Sequence, residues 1–191
     1  MRIIAGDHKG TRLLSPKDQG VTRPTSDRTR ENLFNLLAHN GDLLRSGFGL
    51  AGAKLADLCA GTGALGLEAL SRGADHCVFV EQHPASHRIL RQNMDALGLD
   101  ASRALAIRGD YRKLKAPHAM DLILIDPPYD HILLTEILDC LSRQGWLHAK
   151  SLIVIQSGKQ TLLDENAAQE FRLIKRQAYS DAALWFFMPI S

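Results

Sequence analysis

From Lys54 to Ser157 the chain keeps returning to one arrangement: a short apolar run of strand length, in most cases followed by a stretch with helical spacing. The runs are KLADLCA, HCVFVEQ, RALAIRGD, DLILIDPPY and SLIVIQS. Helices are predicted after Gly63, from Pro84 to Leu97 and around Ile132 to Leu141. Strands separated by helices must be joined by right-handed crossovers, which implies a parallel sheet covered on both faces. The C-terminal stretch EFRLIKRQAYSDAALWFFMPI breaks this rhythm, with two strand-like runs and only a short turn between them. A hairpin is antiparallel, so the last strand is expected to run against its neighbours. The predicted class is α/β, an open sandwich.

With 191 residues, 45% hydrophobic and 23% charged, the chain is long enough for one sizeable core with an appendage. The appendage is predicted at the N-terminus. Residues 1–30 carry Arg2, Lys9, Arg12, Lys17, Arg23, Arg28 and Arg30 against only Asp7, Asp18 and Asp27, in a chain whose net charge is +2. A basic arm on a near-neutral body suits a polyanionic partner, because Lys and Arg contacts to phosphate give affinity independent of sequence. We divide the chain into an N-terminal basic arm or hairpin over residues 1–25, expected to contact the polyanion, and a main domain over residues 26–191. After the arm, RPTSDRTRENLFNLLAH reads as a helix capped by Ser26 or Asp27 with a stripe of Leu33, Phe34, Leu36 and Leu37. The segment HNGDLLRSGFGLAGA that follows reads as a glycine-containing loop.

Cys59, Cys77 and Cys140 are odd in number and form no C-x-x-C pair, as expected of reduced thiols. His83 and His87 lie four apart on a predicted helix, but no third ligand stands near, so no metal is expected. The N-terminus lacks the apolar core of a signal peptide, and no apolar run approaches the ~18 residues of a membrane span. A cytoplasmic protein without a membrane partner is the expectation, and one self-contained sheet makes a monomer the simpler one.

The stretch DLCAGTGALGLEAL places Gly61, Gly63 and Gly66 in a G-x-G-x-x-G spacing between a strand and a helix. Glycines there let the chain turn tightly and bring backbone amides against a ligand at the helix N-terminus. Glu81 ends the next strand, where a carboxylate can accept both hydroxyls of a ribose. Asp57 precedes the glycines on the strand itself, where it would repel a pyrophosphate but hold the ammonium of an amino-acid moiety. Asp110, after the third strand, is placed to accept from an adenine amino group. The three acids together suit S-adenosylmethionine better than a nicotinamide dinucleotide.

In an open α/β sheet the ligand crevice lies off the C-terminal strand ends, and Asp126 leaves its strand into that crevice. Pro127 and Pro128 have fixed φ and no N–H, so their carbonyls are acceptors without a competing donor. Two acceptors gripping the N–H bonds of an exocyclic base amine pull its nitrogen toward a tetrahedral shape and free its lone pair. Tyr129 offers a face on which an extruded base can stack, worth ~1–3 kcal/mol. Methyl transfer needs positioning and electrostatics rather than a metal or a covalent intermediate.

On these residues the chain resembles the S-adenosylmethionine-dependent methyltransferases of exocyclic amines, which carry a [DNS]-P-P-[YF] motif, here Asp126-Pro127-Pro128-Tyr129. More closely it is similar to the RsmD family of bacterial 16S rRNA guanine-N2 methyltransferases, through MRIIAGDHKGTRL, TRPTSDRTRENLFN, DLCAGTGALGLEALSRGA and DLILIDPPY. The resemblance implies a Rossmann-like class I methyltransferase fold, a seven-stranded, mostly parallel sheet with an antiparallel last strand. It also implies methylation of the N2 amine of one guanine of 16S rRNA, conventionally guanine 966, within the small ribosomal subunit particle. Carried onto this chain, Asp57, Gly61, Gly63, Glu81, Asp110 and Tyr111 belong to the cofactor site. Asp126, Pro127 and Tyr129 would be catalytic, and Arg2, Arg23, Thr25, Arg28 and Pro128 would face substrate RNA. Two departures stand out: IVIQ with Gln156 where an acid is expected to end the fifth strand, and AYSDAALWFF where the hairpin usually carries a tyrosine–glycine pair.

Three rival readings are weighed against this one. A methyltransferase of adenine N6 in DNA or RNA, or of another base amine, shares the DPPY and glycine blocks, and RPTSDR separates the reading from DNA adenine methylation. An NAD-dependent oxidoreductase leaves DPPY, Asp110 and the basic arm without a role. A non-catalytic RNA-binding assembly factor gives no reason for a complete cofactor cradle.

Overall fold

A computed structural model describes residues 1–16, 27–127, 133–163, 169–179 and 182–190. The expectations placed on Arg23, Thr25, Ser26, Pro128 and Tyr129 lie outside the described residues.

The alternating apolar runs form β1 (Lys54–Leu58), β2 (His76–Glu81), β3 (Ala104–Arg108), β4 (Leu122–Ile125) and β5 (Leu152–Gly158). The C-terminal runs form β6 (Phe171–Ala178) and β7 (Ala182–Pro189). All seven join one sheet in the order β3-β2-β1-β4-β5-β7-β6. Strands β1 to β5 pair in parallel, and β7 pairs antiparallel with both β5 and β6. This is the mixed seven-stranded sheet, with one reversed strand, that the sequence led us to expect. The reason lies in burial: Leu55 to Leu58, Leu122 to Ile125 and Leu152 to Ile155 are buried on both faces, which is the situation of strands under helical crossovers.

The helices are α1 (Asp27–His39), α2 (Gly41–Arg45), α3 (Ala64–Ser71), α4 (Pro84–Ala96) and α5 (Leu134–Gln144). Leu33, Phe34 and Leu37 of α1, Leu65 and Leu67 of α3, and Leu90 and Met94 of α4 share one apolar cluster with Leu55, Leu124 and Val154 of the sheet. Ile137, Leu138 and Leu141 of α5 pack on the opposite face with Ile123, Ile153 and Trp146. Pro84 starts α4 at a position where its missing N–H costs nothing. Gly145, at φ 77°, ends α5. The segment read as a loop after His39 instead contains α2, whose first amides at Asp42 and Leu43 are accepted by the Asn40 Oδ1 at 3.1 and 3.3 Å. No helix among the described residues is long and apolar enough to cross a membrane.

The N-terminal residues fold back on themselves rather than trailing away. Arg2 and Arg12 form an antiparallel bridge, and Ile3 and Leu13 are buried in the cluster beneath. The resulting hairpin covers α3, which is why every α3 residue from Leu65 to Ser71 is buried, including the polar Glu68 and Ser71.

Candidate functional site

Strand β1 has β2 on one side and β4 on the other, so the strand order reverses direction at β1. Ligands of open α/β sheets lie at such a switch point, outside the carboxyl ends of the strands. The acids predicted from the sequence converge there. Asp57, 1% exposed, accepts from the Gly66 amide at 2.9 Å through Oδ2, and its buried Oδ1 has no partner among the described residues. Its carboxyl is pushed up to about 7, chiefly by burial and further by Asp126 and Glu81, against the Gly66 hydrogen bond, which pulls it down. A buried acceptor with one free oxygen suits a cationic donor.

Glu81, 8% exposed, accepts from the Gly61 amide at 2.7 Å through one oxygen and from the His83 amide at 2.6 Å through the other. Gly61 has φ +57° and open space where a side chain would stand, so the loop leaves a cradle beside that carboxylate. Gly63 caps α3. Gly66 serves packing, because a Cβ there would lie 2.3 Å from Phe79 Cε1 and 2.7 Å from Cys77 Sγ. Cys59, between Asp57 and this loop, is the one non-glycine with positive φ among the described residues, at 111°. Strained backbone of this kind collects at functional sites. Burial first, then Asp57, Glu81, Asp126 and Asp110, push the Cys59 thiol up; four carboxylates therefore bear on one strand end.

Asp126 is half-buried directly past the end of β4, and Pro127 is buried. The parallel register pairs Ile125 with Ile155, so Asp126 and Gln156 are the next residues of adjacent strands. The carboxylate of Asp110 is held by the Arg112 guanidinium at 2.8–3.2 Å, and this hydrogen bond keeps it below the usual carboxylate range. Tyr111 packs on the α5 face with Leu58, Val80 and Met120. Arg2 and Arg28 share a groove of about 270 Å³ with Lys9, Asp27 and Glu31, between the hairpin and α1. Among the described residues no group of three or more His, Cys, Asp or Glu is arranged to hold a metal ion.

Residues 1–188 match the family described as conserved hypothetical protein 95. The chain belongs to the RsmD family of methyltransferases. A relative from Escherichia coli (strain K12), named ribosomal RNA small subunit methyltransferase D, is 36% identical over 161 residues, covering 82% of this chain and 74% of the relative. The solved structure of yhhF from Escherichia coli superposes with a TM-score of 0.78 at 30% identity, covering 99% of this chain and 97% of that one. A ribosomal protein L11 methylase from Lactobacillus delbrueckii subsp. bulgaricus, at 16% identity, TM-score 0.62 and coverage of 78% and 76%, shares the fold alone. The fold is that of the class I methyltransferases.

In this RsmD-type chain the structure adds polar residues that motif reading passed over. Glu68 is fully buried; its carboxylate accepts from the amides of Ile4 and Ala5 at 2.8 and 3.0 Å and from Arg72 Nε at 2.7 Å. Arg30, equally buried, donates from Nη2 to the Arg2 carbonyl at 2.5 Å and to Asp27 at 3.0 Å, with Nε 3.7 Å from Glu68. Asn93 stands beside the apolar stripe of Leu90 and Met94 of α4 and its cap residue Leu97, and a polar residue at that spacing was the one available signal.

Proposed function

We propose that the protein transfers a methyl group from S-adenosylmethionine to the exocyclic N2 amine of a guanine in 16S rRNA of the small ribosomal subunit. The observation that carries this reading is the placement of Asp126 at the end of β4, with its charge acting on Asp57 across the switch point. That placement supports a reading in which an acceptor for the base amine and an acid for the cofactor share one crevice.

When bound, S-adenosylmethionine supplies a methyl group on a sulfonium, a leaving arrangement that needs no metal or covalent intermediate. The free oxygen of Asp57 suits the ammonium of its amino-acid part. Glu81, beside the open cradle at Gly61, suits the ribose hydroxyls. Asp110 would take the adenine amine in competition with Arg112, which already holds both its oxygens. Asp126 and the Pro127 carbonyl accept the two N–H bonds of the base amine and aim its lone pair. Pro127 brings no N–H of its own to compete. The carboxylate is also the nearest named base for the proton that the methylated nitrogen must shed.

The rRNA part of the reading rests on the named relatives and on the groove that gathers Arg2, Lys9 and Arg28. Side chains of this kind grip a phosphate backbone, which positions the strand without reading its sequence. Incubation with labelled S-adenosylmethionine and small subunits lacking the modification, followed by mapping of the label, tests the whole proposal. Label on a guanine N2 of 16S rRNA is expected. Label on adenine N6, or none on RNA, would overturn the guanine assignment.

A further inference from the structure

Asn93 is 1% exposed and uses every polar hydrogen and one oxygen lone pair of its amide on backbone groups. Its Oδ1 accepts from the Leu14 N–H at 2.7 Å, and its Nδ2 donates to the Leu14 carbonyl at 3.2 Å and to the Thr62 carbonyl at 2.9 Å. Thr62 lies between Gly61 and Gly63 in the cofactor loop. Leu14 follows the second arm of the N-terminal hairpin, whose Leu13 amide donates to the Met1 carbonyl at 3.0 Å. One side chain on α4 therefore ties together two backbone segments, one beside the cofactor acids and the other continuous with Arg2 and Lys9 of the basic groove.

We infer that Asn93 is a positioning residue that couples the cofactor loop to the hairpin, so that cofactor and RNA each tighten the binding of the other. The physical reason is shared ordering. A ligand that fixes the Gly61–Gly63 backbone also fixes the carbonyl that holds Asn93, and through it the register of Leu14. The second ligand then finds the hairpin already ordered, which is positive coupling by linkage. The other end of the hairpin is fixed independently by Glu68 and by Ser71, whose Oγ accepts from the His8 amide at 3.0 Å and donates to the Ala5 carbonyl at 2.6 Å. Only Asn93 among these reaches the cofactor loop. Its chemistry is specific: Asp would keep the acceptor for Leu14 N–H but lose both donors, and Leu would lose all three bonds at similar volume.

The inference rests on the proposed rRNA substrate, and its test separates the two. Binding of unmethylated small subunits to the full-length protein is measured with and without saturating S-adenosylhomocysteine. The unmodified protein is expected to bind at least about fivefold tighter with it, the lower end of ordinary coupling factors. In Asn93→Leu and Asn93→Asp the ratio should fall to near one, and KM for the particle at saturating cofactor should rise about as far while kcat stays within about twofold. Ser71→Ala, which loosens the hairpin without touching the loop, should keep the ratio. Hydrogen exchange of the unmodified protein supplies a reading that needs no variant. S-adenosylhomocysteine should slow exchange at the Leu14 amide together with Gly61 and Gly63. A ratio of one in the unmodified protein, an undiminished ratio in the Asn93 variants, a ratio lost equally in Ser71→Ala, or an unprotected Leu14 beside a protected Gly61 would each overturn the inference. Absence of particle binding under every condition would instead remove the rRNA reading itself, and this inference with it.

Discussion

The cofactor end and the hairpin seam are both built from buried polar groups accepting backbone amides, yet they are assembled from different distances along the chain. Asp57 reaches Gly66 nine residues on, and Glu81 reaches Gly61 twenty residues back. Glu68 reaches Ile4 across 64 residues, and Asn93 reaches Leu14 across 79. The first set is held by a strand, a turn and a helix that follow one another. The second set exists only once the whole sheet has formed. Loss of a carboxylate in the first set should therefore alter ligand binding or chemistry, and loss of the Glu68 carboxylate in the second should first alter stability.

The largest expected effect tests the seam. Glu68→Ala would leave Arg30 and Arg72 without their buried partner and orphan the amides of Ile4 and Ala5. Removing one member of a buried ion pair costs about 3–5 kcal/mol, so denaturant unfolding should show a loss of that size. A loss below about 1 kcal/mol would mean that the hairpin contributes little to the fold, and the comparison between the two regions would fail.

Asp126→Ala tests the chemistry beside the cofactor end. It should lower kcat by about 10²–10³-fold, the range for removing one positioned hydrogen-bonding group, with S-adenosylhomocysteine affinity nearly unchanged. Full activity in that variant would show that the carboxylate does not grip the base amine. Gly66→Ala follows in size. Its Cβ would meet the Phe79 ring and the Cys77 sulfur, and both are fully buried. Overpacking of this kind costs about 1–3 kcal/mol. Calorimetry should show a lower melting temperature, and an unchanged one would place slack between α3 and β2.

The same contrast explains what could be read from the residues alone. The mostly parallel sheet and its reversed last strand were legible because parallel strands buried on both faces are continuous apolar runs, and because DAALWFF follows its partner strand too closely for a helix to intervene; the order of the strands across the sheet was not. The gathering of Asp57, Glu81 and Asp110 at one end of the sheet was legible because each sits on or just past a strand end. The short helix Gly41–Arg45 was not, since five residues within a glycine-bearing stretch carry no period, and its Asn40 cap looks like any loop asparagine. Nor was the docking of the hairpin. Ile3 and Leu13 are isolated apolar residues among basic ones, and the charges of the N-terminus said more than its anchors. Asn93 was passed over as well: a single polar residue on a helix is unremarkable, and its partners are backbone groups of Leu14 and Thr62, which no side-chain pattern announces.

The smallest effect separates the two regions by pH. Asp57 is pushed up to about 7 from the ordinary carboxylate value of 3.8, chiefly by burial. Between those values the folded chain keeps a proton that the unfolded chain has lost. Acidification through that window therefore favours the fold at this residue, and the raised value removes stability as pH climbs toward 7. Cofactor binding runs the other way. The ammonium of the amino-acid part is drawn to the ionised carboxylate, so affinity for S-adenosylhomocysteine should rise as pH climbs through about 7 and then level off. One linked proton limits the slope to about tenfold per pH unit. Asp57→Asn removes the titrating group while keeping an oxygen for the Gly66 amide, so its binding should be weaker above pH 7 and flat across it. The same variant should unfold at higher denaturant than the unmodified protein at pH 8, where the buried charge is largely present. A pH profile that survives in Asp57→Asn would assign the titration to another of the carboxylates gathered around Cys59, and the free oxygen of Asp57 would lose its place in the cofactor site.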